Sequence, residues 1–289
     1  MIPGEFQQAV ERAERDSANG GPMLALLGEE AKLTDWAREG VRLVGRAQGR
    51  TLSFKAARRS WEFIRKDFPD DVEANLQLAT IVERPGDFGA SPRDRVVVVT
   101  GHRADAPDRK SPRFPNTQIS IDKAKAWLRE RVAAEKAETS GSISAIAGAA
   151  SGTDLIFLDV CAELGIKTTV VLPIPRQDYC RASVADGGPD WVERFNRLVD
   201  TNPPVLLSDD TALPVWAASI PDYGVFQRGN IFMIEAALIA ANADVTLLAL
   251  WNGKAGDGPG GTADMVRLAK EQGAKVCIKN TDELFGLSS

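Results

Sequence analysis

The feature of this sequence that most constrains its fold is a strand–loop–helix signal that occurs twice. The first is SAIAGAASGTD, residues 144–154, and the second is LLALWNGKAGDGPGGTADM, residues 247–265. Each passes from an apolar, strand-like run through a glycine-rich loop into a helix that opens on a small polar residue and an aspartate. Each expected helix ends on a glycine, Gly165 and Gly273, where a left-handed cap falls. Loops of this kind set backbone N–H groups and the positive end of a helix against an anion, usually phosphate. Two of them in one domain point to a nucleotide cleft.

The surrounding pattern agrees. Strand-like runs at Arg95–Thr100, Ser144–Ala147, Thr168–Leu172, Pro204–Leu207, Val245–Trp251 and Lys275–Ile278 are near-continuous Val/Ile/Leu segments, as in strands buried on both faces. They alternate with helical patterns at Ile119–Lys136, Asp154–Leu164, Pro189–Val199, Asn230–Ala241 and Ala263–Gln272. This predicts an α/β fold with a Rossmann-like, doubly wound, mainly parallel sheet over residues 89–289. Ligands of such sheets sit outside the carboxyl ends of the strands, where both glycine loops fall.

Residues 1–88 read differently. Apolar positions such as Trp36, Val41, Val44, Phe54, Ala57, Trp61 and Ile64 recur mostly at three- and four-residue spacings, which predicts a small all-α domain. The stretch FPDDVEANLQLATIVERPGDF, residues 68–88, starts on a proline and stops on Pro-Gly. It resembles part of a tetratricopeptide repeat. One such repeat cannot bury its own face, so this domain is expected to contact a protein partner or a second copy of the chain.

Composition narrows the function classes. A net charge of -5 argues against nucleic acid as a partner, because non-specific binding needs a basic surface. Three separated cysteines, no CxxC pair and a single histidine leave no basis for a zinc site or other metal and fit a reducing, cytoplasmic setting. No apolar run is long enough to span a membrane, and the polar start is unlike a signal peptide. No resident cofactor is expected.

Four loops converge on the ligand edge of such a fold. GHRADAPDRKSPRFP, residues 101–115, supplies Gly101, His102 and Arg103, with Arg109, Lys110 and Arg113 behind them. It reads either as a basic flap over phosphates or as a solvated loop. The second loop runs from Gly148 to Asp154 and includes Ser151, Gly152 and Thr153. Its small residues permit close approach of a ligand to the backbone, while Asp154 either caps its helix or meets a ribose or substrate. Arg228 and Asn230, in the third, stand where side chains reach a phosphate or base. Gly260, Gly261 and Thr262, in the fourth, are the candidate phosphate cradle, followed by Asp264. Asp154 and Asp264 are the candidate catalytic acids.

The order of GHR, GAASGTD, TTVVLP, RGN with a methionine three positions on, and GGTADMVRLAKEQGAKV resembles the SLOG superfamily, and within it the YpsA-related branch. That superfamily groups the Lonely Guy phosphoribohydrolases and the Smf/DprA recombination mediators with stand-alone nucleotide sensors. The resemblance spans about residues 95–280. It implies a Rossmann-like fold that binds a nucleotide or a ligand of ADP-ribose or cyclic-nucleotide type, through Gly101–Arg103, Gly148–Asp154, Arg228, Asn230 and Gly260–Asp264. Lonely Guy enzymes carry a glutamate after their PGGxGT motif, and here Met265 or Arg267 stands in its place. The resemblance therefore implies sensing first, with N-glycosidic hydrolysis assisted by the paired aspartates and DNA-binding mediation as alternatives.

Overall fold

The computed structural model describes residues 94–208, 210–213, 223–240, 244–254, 258 and 260–287. The helical, repeat-like segment expected over 1–88 lies outside these residues.

The chain from Arg95 to Gly101 (β1) carries four consecutive valines, Val96–Val99, none more than 1 % exposed. A strand with no wet face must be covered on both sides and paired on both edges, and this one is. Strands β2 (Ile143–Ala147), β3 (Lys167–Leu172), β4 (Val205–Leu206), β5 (Val245–Leu250) and β6 (Lys275–Lys279) complete a six-stranded sheet in the order β4-β3-β2-β1-β5-β6. Every pairing is parallel. Strands β1 to β4 step outward in one direction, and the chain then returns to lay β5 on the other side of β1. That reversal is the topological switch point of a doubly wound, Rossmann-like sheet.

Helices fill both faces. On one side lie α1 (Gln118–Glu138) and α2 (Thr153–Glu163), packed on each other. Ala124, Leu128 and Val132 recur every four residues along α1 and form a completely buried stripe. They share a core with Val97 and Val99 of β1 and with Leu155, Phe157 and Leu158 of α2. On the other side lie α5 (Val225–Ala240) and α6 (Thr262–Glu271), in contact with each other and with β1. Between β3 and β4 the chain forms α3 (Arg176–Ser183), a short 3₁₀ turn at Ala185–Gly187, and α4 (Pro189–Thr201). A final short helix, α7 (Thr281–Phe285), brings Phe285 to 4.9 Å from the buried Phe114 ring. No helix among the described residues is long and apolar enough to cross a membrane.

The amino end of the sheet is pinned by charge. Glu135 of α1 is fully buried and meets Arg95 at 2.6 Å, Lys275 at 2.9 Å and the Thr246 hydroxyl at 3.1 Å. Burial works to raise its pKa, but the hydrogen bonds from Lys275 and Thr246 and the charges of Lys275 and Arg95 outweigh it and hold the carboxyl below its ordinary value. These contacts tie β1, β5 and β6 to α1 at the edge opposite the loops.

The expected strands form close to their anticipated bounds, and both C-terminal glycine caps are present. Gly165 and Gly273 take φ of 64° and 78°. The following amides, Ile166 N and Ala274 N, bond back to Cys161 O and Ala269 O at 2.8 and 2.9 Å, as in a Schellman motif. Three details differ from the sequence reading. Helix α5 begins five residues before the anticipated Asn230, so Arg228 and Asn230 lie in its first turns and not in a loop. Helices α3 and α7 were not anticipated at all.

The glycines separate two kinds of constraint. At Gly165 (φ 64°) an added Cβ would meet open space, whereas at Gly152 (φ 82°) it would stand 2.6 Å from Ala104 N and 2.9 Å from His102 O. Gly165→Ala is therefore expected to cost only the left-handed backbone strain, about 1–2 kcal/mol. Gly152→Ala adds a backbone collision and is expected to exceed ~3 kcal/mol. Urea unfolding of the two variants checks this: equal losses would show that the 148–154 loop is not clamped against the 101–104 segment.

Candidate ligand-binding cleft

The loops at the carboxyl edge enclose a cleft of about 370 Å³. Thr100 and Gly101 of β1, Gly148 after β2, Val171 of β3 and Pro173 just after it form one side. Phe226, Gly229, Asn230 and Met233 of α5, and Gly260, Gly261, Thr262 and Met265 around the start of α6, form another. Arg103, Asp154, Tyr179 and the end of α3 at Ala182 and Ser183 close the remainder. Of the residues singled out in the sequence, Gly101, Arg103, Gly148, Asp154, Asn230, Gly260, Gly261 and Thr262 line this cleft.

The two glycine loops share one internal bond. Asp154 Oδ2 accepts from Ala150 N, four residues back, and Asp264 Oδ2 accepts from Gly260 N, again four residues back, both at 3.2 Å. Neither aspartate acts as the N-cap residue: that position is Gly152 in α2 and Gly261 in α6. Each carboxylate instead closes the loop that leads into its helix.

This closure uses up amides that an anion would need. In the first loop Ala149 N donates to the Tyr179 hydroxyl, Ser151 N to Ser183 O, and Thr153 N to His102 O. In the second, Gly261 N donates to Gly258 O, and the Asn230 amide donates to Gly260 O at 2.9 Å. Gly260 itself is packed tightly: a Cβ there would lie 2.7 Å from Gln227 N. Of the expected cradle, the Gly260 and Gly261 amides are thus engaged within the loop, while Thr262 opens the first turn of α6.

Several sequence candidates serve the loops and stand outside the lining. His102 is buried; its Nε2 lies 3.2 Å from Asn252 Oδ1, and its carbonyl accepts from the Thr153 hydroxyl at 2.9 Å. Ser151, Gly152 and Thr153 are buried beneath the first loop. Arg228 is buried within α5. Asp264 also accepts from Arg267 Nη2, at 2.5 Å.

The expected basic flap is a tied loop. Buried Asp105 accepts from the amides of Arg113 and Phe114 at 2.9 and 3.0 Å and pairs with Arg109 at 3.3 Å. Arg103 alone of the flap cations lines the cleft. It donates to Ala182 O at 2.6 Å and pairs with Asp186 at 3.3 Å.

Asp154 has the most unusual environment. Gly148 leaves the space above its carboxyl: a Cβ there would stand 2.7 Å from Asp154 Oδ2 and 3.0 Å from the Tyr179 hydroxyl. Part of the residue's surface opens to the cleft, yet protein crowds the carboxyl itself. Desolvation pushes its pKa up to about 7, and the single Ala150 amide offsets this only in part. The Tyr179 phenol is also raised, first by burial and then by the charge of Asp154. Tyr179 and Phe226, whose ring centroids are 6.2 Å apart, give the cleft an aromatic side that the sequence reading did not place. The signal was present only as a tyrosine inside the polar segment RQDYCRAS.

Among the described residues no group of three or more His, Cys, Asp or Glu side chains is placed to hold a metal ion. Compared with models of known families, with curated proteins and with solved structures, the chain finds no match.

A carboxyl whose folded pKa lies above its unfolded value binds its proton more tightly in the folded state. Its favourable contribution is complete below the unfolded value near 4 and is lost as pH rises through about 7. Asp154→Asn keeps an acceptor for the Ala150 amide and removes the titration. Its stability should match wild type below about pH 3.5 and exceed it above pH 7.5, by on the order of 1–3 kcal/mol. A difference that does not vary with pH would place the carboxyl in solvent.

Proposed function

We propose that residues 94–287 bind a nucleotide or a nucleotide-derived ligand of ADP-ribose or cyclic-nucleotide type, as the sensing half of a protein whose N-terminal helices contact a partner or a second copy. The observation that carries this reading is the chemistry of the cleft at the carboxyl edge. Met233, Met265, Val171, Tyr179 and Phe226 offer an apolar and aromatic surface for a base. Arg103, Asn230 and the first turn of α6 offer polar groups beside it. The volume lies in the range of small-molecule sites, roughly 300–1,000 Å³. The resemblance of the sequence to the SLOG superfamily, taken as a working assignment, supports the same ligand class.

A second reading, N-glycosidic cleavage, is favoured by one observation. Desolvation lifts the Asp154 carboxyl to about 7, which leaves it partly protonated near neutral pH, and the residue lines the cleft, as suits a general acid. Asp264, the other candidate acid, gives this reading less support, because its oxygens meet Gly260 N and Arg267 and it stands outside the described lining of the cleft. The DNA-binding alternative gains no support from a lining whose only cation among the described residues is Arg103.

Calorimetric titration with adenosine 5′-monophosphate, ADP-ribose and cyclic nucleotides, alongside chromatography for released base, separates these readings. Sensing predicts saturable binding to one site with the nucleotide recovered intact. Release of base that Asp154→Asn abolishes would establish the hydrolase reading. Absence of binding across the panel would remove both.

A further inference from the structure

The one cation that lines the cleft among the described residues is already engaged. Arg103 leaves the end of β1 and reaches across to the end of α3, where its Nη1 donates to Ala182 O at 2.6 Å and lies 3.3 Å from Asp186 Oδ2. An anion arriving in the cleft meets a guanidinium whose charge is matched by a carboxylate of the same chain. Both partners are accessible, at 39 % and 46 % side-chain exposure, and exposed pairs of this kind are held weakly and exchange readily. Asp186 sits on the 3₁₀ turn Ala185–Gly187, just beyond the end of α3.

We propose that Asp186 is an internal competitor for Arg103 and a specificity-determining residue of the cleft, so that an anionic ligand binds by exchanging with the Asp186 carboxylate. This inference rests on the nucleotide-binding reading and adds to it a rule of selection. A ligand gains from Arg103 only when its anion is a better partner than Asp186. A dianionic phosphoryl group meets that condition, through more charge and three acceptor oxygens in place of two. A ligand with a single carboxylate does not, and an uncharged nucleoside bypasses the exchange. The same exchange releases the link between the 101–104 segment and the end of α3, a helix also tied to the first glycine loop by Ser151 N to Ser183 O and by Ala149 N to the Tyr179 hydroxyl, both at 3.0 Å.

The test compares Asp186→Asn, Arg103→Ala and the wild-type chain, titrated by calorimetry with adenosine 5′-monophosphate and with adenosine. Asp186→Asn keeps the shape and removes the competing charge. It should bind the monophosphate about two- to fivefold more tightly than wild type and bind adenosine unchanged. Arg103→Ala should bind the monophosphate at least about tenfold more weakly. Tighter binding in Asp186→Asn when wild-type binding is too weak to measure would equally support the exchange. If wild type binds and Arg103→Ala weakens it while Asp186→Asn matches or falls below wild type, the exchange is wrong and the nucleotide site stands. If Arg103→Ala binds as wild type does, Arg103 is not the anion partner and the inference falls. If no form binds either compound, this inference falls, and the nucleotide-binding reading falls with it only when ADP-ribose and cyclic nucleotides also fail to bind the wild-type chain.

Discussion

Burial of β1 is the constraint on which the rest of this structure depends. Val96–Val99 have no exposed face, so the strand must be paired on both edges and covered on both sides. Pairing puts β2 and β5 beside it, although they are separated by about a hundred residues of chain. Covering requires α1 and α2 on one face and α5 and α6 on the other. Because every strand is parallel, all the strand-to-helix loops emerge at one edge. The cleft follows from that topology together with the reversal of strand order between β1 and β5.

The same loops that frame the cleft are locked by bonds among themselves. Asp154 and Asp264 each reach back four residues to a loop amide, Asn230 fixes the Gly260 carbonyl, and Asp105 folds the 101–115 segment onto itself. These residues also carry most of the polar character near the site. They set its shape, and the groups that still line the cleft include Arg103, itself paired with Asp186, the Asp154 carboxyl, and the start of α6 at Thr262. A glycine-rich loop is thus two things at once here. It is a device that lets backbone approach backbone, as at Gly152 and Gly260, and it is a boundary of the space in which a ligand would sit.

What was legible in the sequence was what burial periodicity dictates. Runs such as VVVVT and VTLLAL admit one interpretation, and glycines after helical patterns mark left-handed caps, so the sheet and five of its helices were readable. Helix α3 was not, because only Tyr179 and Ser183 of its eight residues are buried and no apolar stripe announces it. With α3 hidden, Tyr179 and the partners of Arg103 at Ala182 and Asp186 were hidden too. Arg228 was read in a loop leading to a helix from Asn230, yet α5 starts at Val225 and runs through Gly229, against Pro173. His102 illustrates the wider difficulty. Residue type marks a group as capable of chemistry, but its direction is set by contacts between distant segments, here with Asn252 and Thr153.

The central claim is that a nucleotide occupies the cleft at the carboxyl edge of the sheet. The chain contains four methionines, Met1, Met23, Met233 and Met265, and the last two line that cleft. Methyl NMR of protein labelled at methionine, titrated with adenosine 5′-monophosphate, ADP-ribose and a cyclic nucleotide in turn, reads occupancy directly. The account predicts that at least one of these ligands shifts the Met233 and Met265 methyl signals saturably. Saturable shifts confined to Met1 or Met23, or four signals unmoved by every ligand, would contradict it.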